Sequence, residues 1–419
     1  MKRRVAVTGI GMISPYGVGR EINWSSLLAG KTAYGELDFP EKYGIPFHTG
    51  GKLTCFEPEK YISQRKLLKY MNREMQMSVV TALEAASDSG LAVKEVPPES
   101  IGIYLGTGIT SVEIEEILSI AGNSTRDGRM DLERFGSNAL PKCDPLLSFK
   151  TLLNMPACFI SILLGIRGQN LVFNSFGGQV LQSISEAFLD IESGQLESAI
   201  AGGVDAKVSF TGFMTLKSFG LINQNASASK PFGTHRKGMI VSEGGACLML
   251  ENLENAQRRK AKVYAELIGA STENDLDSGF IPRKPLYLVN TLNSALNKAG
   301  LKPGEIDCIL SGACSDPCGD AAEAAAITEV FGSNNPQVCS VKGYTGDFIA
   351  GAGTFDLAGS ALMLNEQTIP PGFDPAEIDT DLNLNLAGRN LQKKKIDTVL
   401  CTAFSGGNPK TCFILRRCP

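Results

Sequence analysis

A thiol or hydroxyl at the start of a helix, just after a strand, makes a good nucleophile because the helix dipole favours its anion. The sharpest turn of that kind in this chain carries neither group where it would be needed. Leu171–Asn174 reads as a short apolar strand. Val180–Phe188 reads as a helix, with Val180, Leu181, Ile184, Ala187 and Phe188 at helical spacing. Between them lie Phe176, Gly177 and Gly178, and none of the three can attack a carbonyl. Other reactive groups are sparse. The two histidines, His48 and His235, fall in loop-like stretches. Cys158 sits in the helical run Asn154–Ser161, and both it and Cys314 read as packing thiols. Cys314-Ser-Asp-Pro-Cys318 has an unusual spacing for zinc and no histidine near it in sequence, so no metal centre is expected. Gly9-Ile-Gly11 looks like the start of a dinucleotide fingerprint. It lacks the third glycine and the later acidic residue, so it reads as a tight turn and no cofactor is expected.

The elements around these residues alternate in type, which argues for an α/β class. Strands are expected at Arg4–Thr8, Ile101–Leu105, Leu171–Asn174, Ser198–Gly202 and Ala246–Leu250. Further strands are expected at Val263–Gly269, Cys308–Leu310, Gln337–Val341, Thr398–Thr402 and Thr411–Leu415. Helices are expected at Lys66–Ser89, Ser111–Ile120, Ser148–Leu164, Val180–Ser193, Pro285–Ala299, Glu323–Val330 and Gly353–Asn365. The two halves echo each other: each has a strand, a glycine-rich turn and a helix near its centre, and each ends in a pair of strands. The division is expected as residues 1–255 and 256–419, with Asn255–Lys262 as a charged helical connection.

With 419 residues and 43% hydrophobic content the chain can bury a large core. A net charge of −4 gives no basic field for nucleic acid, and Lys393–Lys395 reads as a solvated run. No apolar stretch reaches the length of about eighteen residues that a membrane span needs, so no membrane partner is expected. The eleven scattered cysteines fit reduced thiols and a cytoplasmic location.

A series of motifs runs along the whole chain. It opens with Arg4-Val-Ala-Val-Thr-Gly-Ile-Gly-Met-Ile-Ser-Pro15, and continues through Gly165-Ile-Arg-Gly168, Ile200-Ala-Gly-Gly-Val-Asp205 and Ser229-Lys-Pro-Phe232. Gly238–Ala246, Gly319-Asp320 with Glu323, Val341–Gly346 and Gly351-Ala-Gly353 follow. In order and spacing the series resembles the β-ketoacyl synthases of the thiolase superfamily. The resemblance implies a five-layered αβαβα fold built from two duplicated halves. It also implies decarboxylative condensation by one cysteine and two histidines. Counting between the flanking motifs puts the cysteine position on Gly177 and the two histidine positions on Gly312 and Asp347, with only Lys342 retained. Groups that act as a unit fail as a unit, so the condensation mechanism is expected to be absent. Ala403–Asn408 resembles the family's gating loop, one residue short.

Such a chain is similar to the chain-length factors of type II polyketide systems, the non-catalytic partners of active ketosynthases. That resemblance implies a heterodimer with an active ketosynthase subunit and an acyl tunnel for aromatic or polyene products. It also implies an acyl carrier protein bearing a phosphopantetheine-linked chain. By resemblance, Val112, Glu115 and Ser119 would gate the tunnel at the dimer interface, and basic Arg65, Lys66, Lys69 and Arg73 would dock the acidic carrier protein. Chain-length factors carry glutamine at the nucleophile position, whereas here Gln179 lies two residues beyond it. An active synthase with a relocated nucleophile and a solitary acyl- or carrier-binding scaffold are the alternatives.

Overall fold

Long apolar strands with glycines at their seams let helices press close on both faces of a sheet. In the computed structural model the described residues are 2–38, 44, 48–109, 112–174, 180–222, 227–275, 284–372, 375–404 and 409–418. The strands used below are β1 (Val5–Ser14), β2 (Ile101–Thr107), β3 (Asn170–Asn174), β4 (Ser198–Asp205) and β5 (Gly244–Asn252) in the first half. In the second half they are β6 (Ala265–Asn274), β7 (Cys308–Leu310), β8 (Gln337–Cys339), β9 (Thr398–Ala403) and β10 (Pro409–Arg416). The helices are α1 (Arg73–Ser89), α2 (Ile114–Ser124), α3 (Met155–Leu164), α4 (Val180–Ser193) and α5 (Phe210–Ser218), then α6 (Leu286–Ala299), α7 (Pro317–Phe331) and α8 (Ala352–Glu366).

The strand order is β8-β7-β9-β10-β6-β1-β5-β4-β2-β3. In each half the three outermost strands are parallel and the next two pairings are antiparallel. The two halves thus share one topology, and they join where Val5–Val7 of β1 pairs with Ala265–Leu267 of β6. β1, β2, β4 and β5 are buried at every position, as strands covered on both faces must be.

Three apolar clusters define the layers. α1 and α3 cover the first half's strands from outside, through Val79, Val80, Ala157 and Ile160. α6 and α7 cover the second half's strands through Leu288, Leu292, Ala324 and Ile327. α4 and α8 fill the middle with Leu181, Ile184, Phe355 and Leu362. This is the five-layered thiolase-like arrangement. Thirteen of the fifteen residues of α8 are buried, so this helix has no solvent stripe and instead reads as small and apolar residues all round.

Several boundaries differ from the sequence expectation for local reasons. The single helix expected from Lys66 is two elements, a 3-10 turn Arg65–Tyr70 and then α1. Met71 is extended, and the Asn72 side chain accepts from Met75 N at 2.9 Å, capping a new helix. α2 starts at Ile114 rather than Ser111, so Val112 precedes it and does not share a helix face with Glu115 and Ser119. The run Ser148–Leu164 is broken into Leu147–Thr151 and α3, with Pro156 in the first turn of the latter.

Candidate functional site

Gly312 and Lys342 follow the carboxyl ends of parallel strands, where α/β folds place their sites. Gly177 lies outside the described residues, whose nearest neighbours to it are Asn174 and Val180. Asn174, at the end of β3, donates through Nδ2 to the carbonyls of Thr107 and Gly108 at 3.1 and 2.9 Å. α4 begins at Val180, pressed against two glycines of the sheet. A Cβ on Gly106 would lie 2.0 Å from the Val180 side chain, and one on Gly203 would lie 2.5 Å from it. Any larger residue at either position would push the helix start off the strand ends. The gating-loop residues 405–408 also lie outside the described residues.

Gly312, Lys342 and Asp347 meet in the interior. Gly312 follows β7, Lys342 opens a short helix after β8, and Asp347 precedes α8. Lys342 Nζ donates to the Gly312 carbonyl at 2.8 Å and lies 3.0 Å from Asp347 Oδ2 and 3.9 Å from Asp356 Oδ2. Burial alone would push its ammonium down, but Asp347 and Asp356 outweigh that and hold it charged, above the usual lysine range. Asp347 is tied at both ends. Its Oδ1 accepts from Ile349 N at 2.7 Å, its own N–H donates to Ile240 O and its carbonyl accepts from Ser242 N. Ile349, a β-branched residue at φ 52°, is held in the left-handed region by this clamp.

A second set of buried polar groups continues from Gly312. Gly312 N donates to Thr402 Oγ1 at 2.9 Å, and Thr402 and Ser311 both donate to Glu323 Oε1, at 2.6 and 2.7 Å. Burial pushes the Glu323 carboxyl up while those two hydroxyls pull it back. Burial also pushes Asp356 up to about 7, against the pull of Lys342. Asp320 accepts from Phe232 N and Cys314 N at 2.9 and 3.1 Å, pinning the loop after Gly312 to the loop at Phe232. There is no room to put a side chain back at Gly312, since a Cβ there would sit 2.7 Å from the Thr402 carbonyl oxygen.

The spare thiols and imidazoles offer no substitute within this cluster. Cys314 is buried, and burial together with the Asp347 charge pushes its thiol well above the ordinary range. Cys158 is half-buried on α3, and His48 and His235 are exposed. Among the described residues no group of His, Cys, Asp or Glu could hold a metal ion, and no helix is long and apolar enough to cross a membrane.

The remaining expected residues are more dispersed. Arg65, Lys66 and Lys69 are exposed on the 3-10 turn. Arg73 is not on that turn. It starts α1 and forks onto Glu243, with contacts of 2.8 and 2.6 Å, so its charge is already answered. Glu115 and Ser119 are exposed on α2, and Val112 is half-buried ahead of it.

The sequence reading named Glu323 only as part of a motif and missed Thr402, Asp356 and a second buried cluster. Lys207 contacts Asp205 Oδ1 and lies 3.2 Å from Glu74 Oε2. Asp205 Oδ2 accepts from Ala350 N at 3.3 Å, which links this cluster to the Asp347 segment. The available signal was an ionisable residue amid apolar ones, as in Phe355-Asp356-Leu357.

The comparisons agree with this architecture. Residues 2–256 match the β-ketoacyl synthase N-terminal domain and residues 264–374 the β-ketoacyl synthase C-terminal domain. The chain is 28% identical to 3-oxoacyl-[acyl-carrier-protein] synthase 2 of Vibrio cholerae over 99% of both chains. It superposes on the ishigamide ketosynthase/chain length factor with a TM-score of 0.89 and 25% identity over 100% of both chains. It also shares its fold with a chain of a type II polyketide synthase assembly, in which an acyl carrier protein is bound to its ketosynthase, at a TM-score of 0.84 and 21% identity over 100% of both chains. The chain belongs to the β-ketoacyl synthase family.

Proposed function

We propose that this chain is a non-catalytic, chain-length-factor-like subunit. It pairs with an active ketosynthase and shapes the acyl tunnel of a type II polyketide system. The observation that carries this reading is the closed cluster at Gly312, Lys342 and Asp347. Condensation needs a thiolate to hold the chain and donors to polarise a thioester carbonyl. Spacing assigns those three roles to Gly177, Gly312 and Asp347. Two are glycines, and the third is a carboxylate whose Oδ2 lies 3.0 Å from the one retained cation. An anion beside a forming enolate is repulsive.

Two further features favour a partnered chain. β3 ends the sheet, and among the described residues no strand covers its outer edge. Among the described residues, eight of the fifteen exposed large hydrophobic residues lie between Ile117 and Ile162, with Leu132 at 76% exposure and Met130 at 63%. A monomer rarely leaves such a concentration bare. On this reading Glu115 and Ser119 on α2, with Val112 ahead of it, face the partner's tunnel. Exposed Arg65, Lys66 and Lys69 offer an acidic carrier protein a salt-sensitive dock, with Arg73 serving to seat the segment.

The Vibrio relative carries a synthase's name, so an active enzyme with a relocated nucleophile is the reading to defeat. The buried Cys314 thiol, raised by its surroundings, speaks against it. The test is co-expression with an intact Cys-His-His ketosynthase. The expected result is a one-to-one complex whose condensation stops when the partner's cysteine becomes alanine. Condensation by this chain purified alone would refute the proposal.

A further inference from the structure

Taking the chain as the tunnel-shaping subunit proposed above, we propose that a cleft beneath the start of α2 recognises oxygen atoms on the acyl chain. Its residues Glu74, Lys52 and Ser209 would distinguish a keto- or hydroxyl-bearing chain from a fully reduced one. The cleft has a volume of about 260 Å³. Three helices begin around it, and their N-cap residues Asn72, Glu113 and Ser209 all line it. Helix starts present N–H groups and partial positive charge, which suit carbonyl and hydroxyl oxygens and offer nothing to a methylene chain.

The floor of the cleft carries the most distinctive group. Glu74 is 8% exposed and lines the cleft, with Lys207 behind it at 3.2 Å and Asp205 beyond. Burial pushes the Glu74 carboxyl up to about 8, against the pull of Lys207 and with the push of Asp205. So raised, it takes up a proton more readily than a surface carboxylate, and in that form it can donate to a carbonyl oxygen. Lys52 reaches the rim as a second donor, and the Ser209 hydroxyl accepts from Gly212 N at 3.1 Å and shares a long hydrogen bond with Thr211 Oγ1 at 3.4 Å, which a ligand oxygen can displace. An apolar chain filling this space would strip water from these groups and return no hydrogen bond, which is costly. Glu115, one of the gate residues, also lines the cleft, so the cleft adjoins the proposed tunnel wall.

The test uses two non-hydrolysable probes of equal carbon count, the pantetheine amides of octanoic and 3-oxooctanoic acid. Each is titrated calorimetrically against the complex with the active ketosynthase. The complex is expected to bind the 3-oxo amide roughly tenfold more tightly, the worth of about one good hydrogen bond. Glu74→Leu is expected to bring the two probes within about twofold, whereas Glu74→Gln, which keeps a donor, retains most of the preference. Lys52→Met, at an exposed side chain that folding does not need, is expected to lower the preference about threefold. Equal binding by the unaltered complex overturns the proposal. So does an unchanged preference in folded Glu74→Leu or, should that variant fail to fold, in Lys52→Met. If no complex forms, the probes are titrated against this chain alone. A preference there keeps the cleft and discards the pairing, and equal binding discards the cleft.

Discussion

Two buried lysines, one in each half of the chain, are each held by two carboxylates, yet their surroundings differ. Lys342 faces Asp347 and Asp356, all three at 3% side-chain exposure or less, and it also donates to a backbone carbonyl. Lys207 faces Asp205 and Glu74, and Glu74 borders a cleft. The same charge pattern therefore gives two outcomes. A sealed cluster can only hold the fold together, whereas one that touches a cavity can answer to a ligand. The sealed cluster occupies the place where spacing puts the family's acid–base groups, so the charge that would act on a thioester is spent on Asp347 instead.

The largest effect should come from unpairing each lysine. Lys342→Met leaves two carboxylates in a dry interior and is expected to cost about 3–5 kcal/mol in urea denaturation, the usual consequence of breaking a buried pair. Lys207→Met should cost less, because Glu74 borders the cleft, where water can reach it. Equal losses would erase the distinction between the two clusters.

Stability against pH sharpens the same contrast. Asp356 is raised from 3.8 to about 7, so the folded protein holds a proton there that the unfolded chain releases. Its contribution is full below about pH 4 and is lost as pH rises through 7. Asp356→Asn should flatten the fall in urea midpoint between pH 5 and 8. A slope unchanged by that substitution would remove Asp356 from the account. Glu74 is raised too, so its contribution carries the same sign.

Smaller effects test the sealing itself. Gly312→His drives a Cβ to 2.7 Å from a carbonyl oxygen, and is expected to cost about 1–3 kcal/mol by overpacking without creating condensation activity. Thr402→Val removes the acceptor of Gly312 N and one donor to Glu323, for about 1–2 kcal/mol. Smallest of all, Lys66→Ala and Lys69→Ala should leave stability within about 0.5 kcal/mol. On the proposed docking they should weaken carrier-protein binding and reduce its salt dependence.

Legibility in the sequence followed the range of the interactions. α4 was readable over Val180–Ser193, because its apolar spacing is a local signal. The start of α1 was not, although Asn72 is a helix-capping residue that could have marked it. Spacing brought Gly312, Lys342 and Asp347 into one site, since each has its own motif. Glu74 and Lys207 lie 133 residues apart, and nothing in either neighbourhood announces the other. The ion pair of Lys342 with Asp347 is likewise a product of packing: a five-residue spacing does not say which way a buried lysine will turn.

The most direct measurement is the intact mass of both polypeptides after incubation with an acyl-loaded carrier protein. It is made on this chain alone and on its complex with an active ketosynthase. The account predicts an acyl adduct on the partner only, and none on this chain in either sample. An adduct on this chain by itself, discharged into a longer product when malonyl-loaded carrier is added, would contradict it.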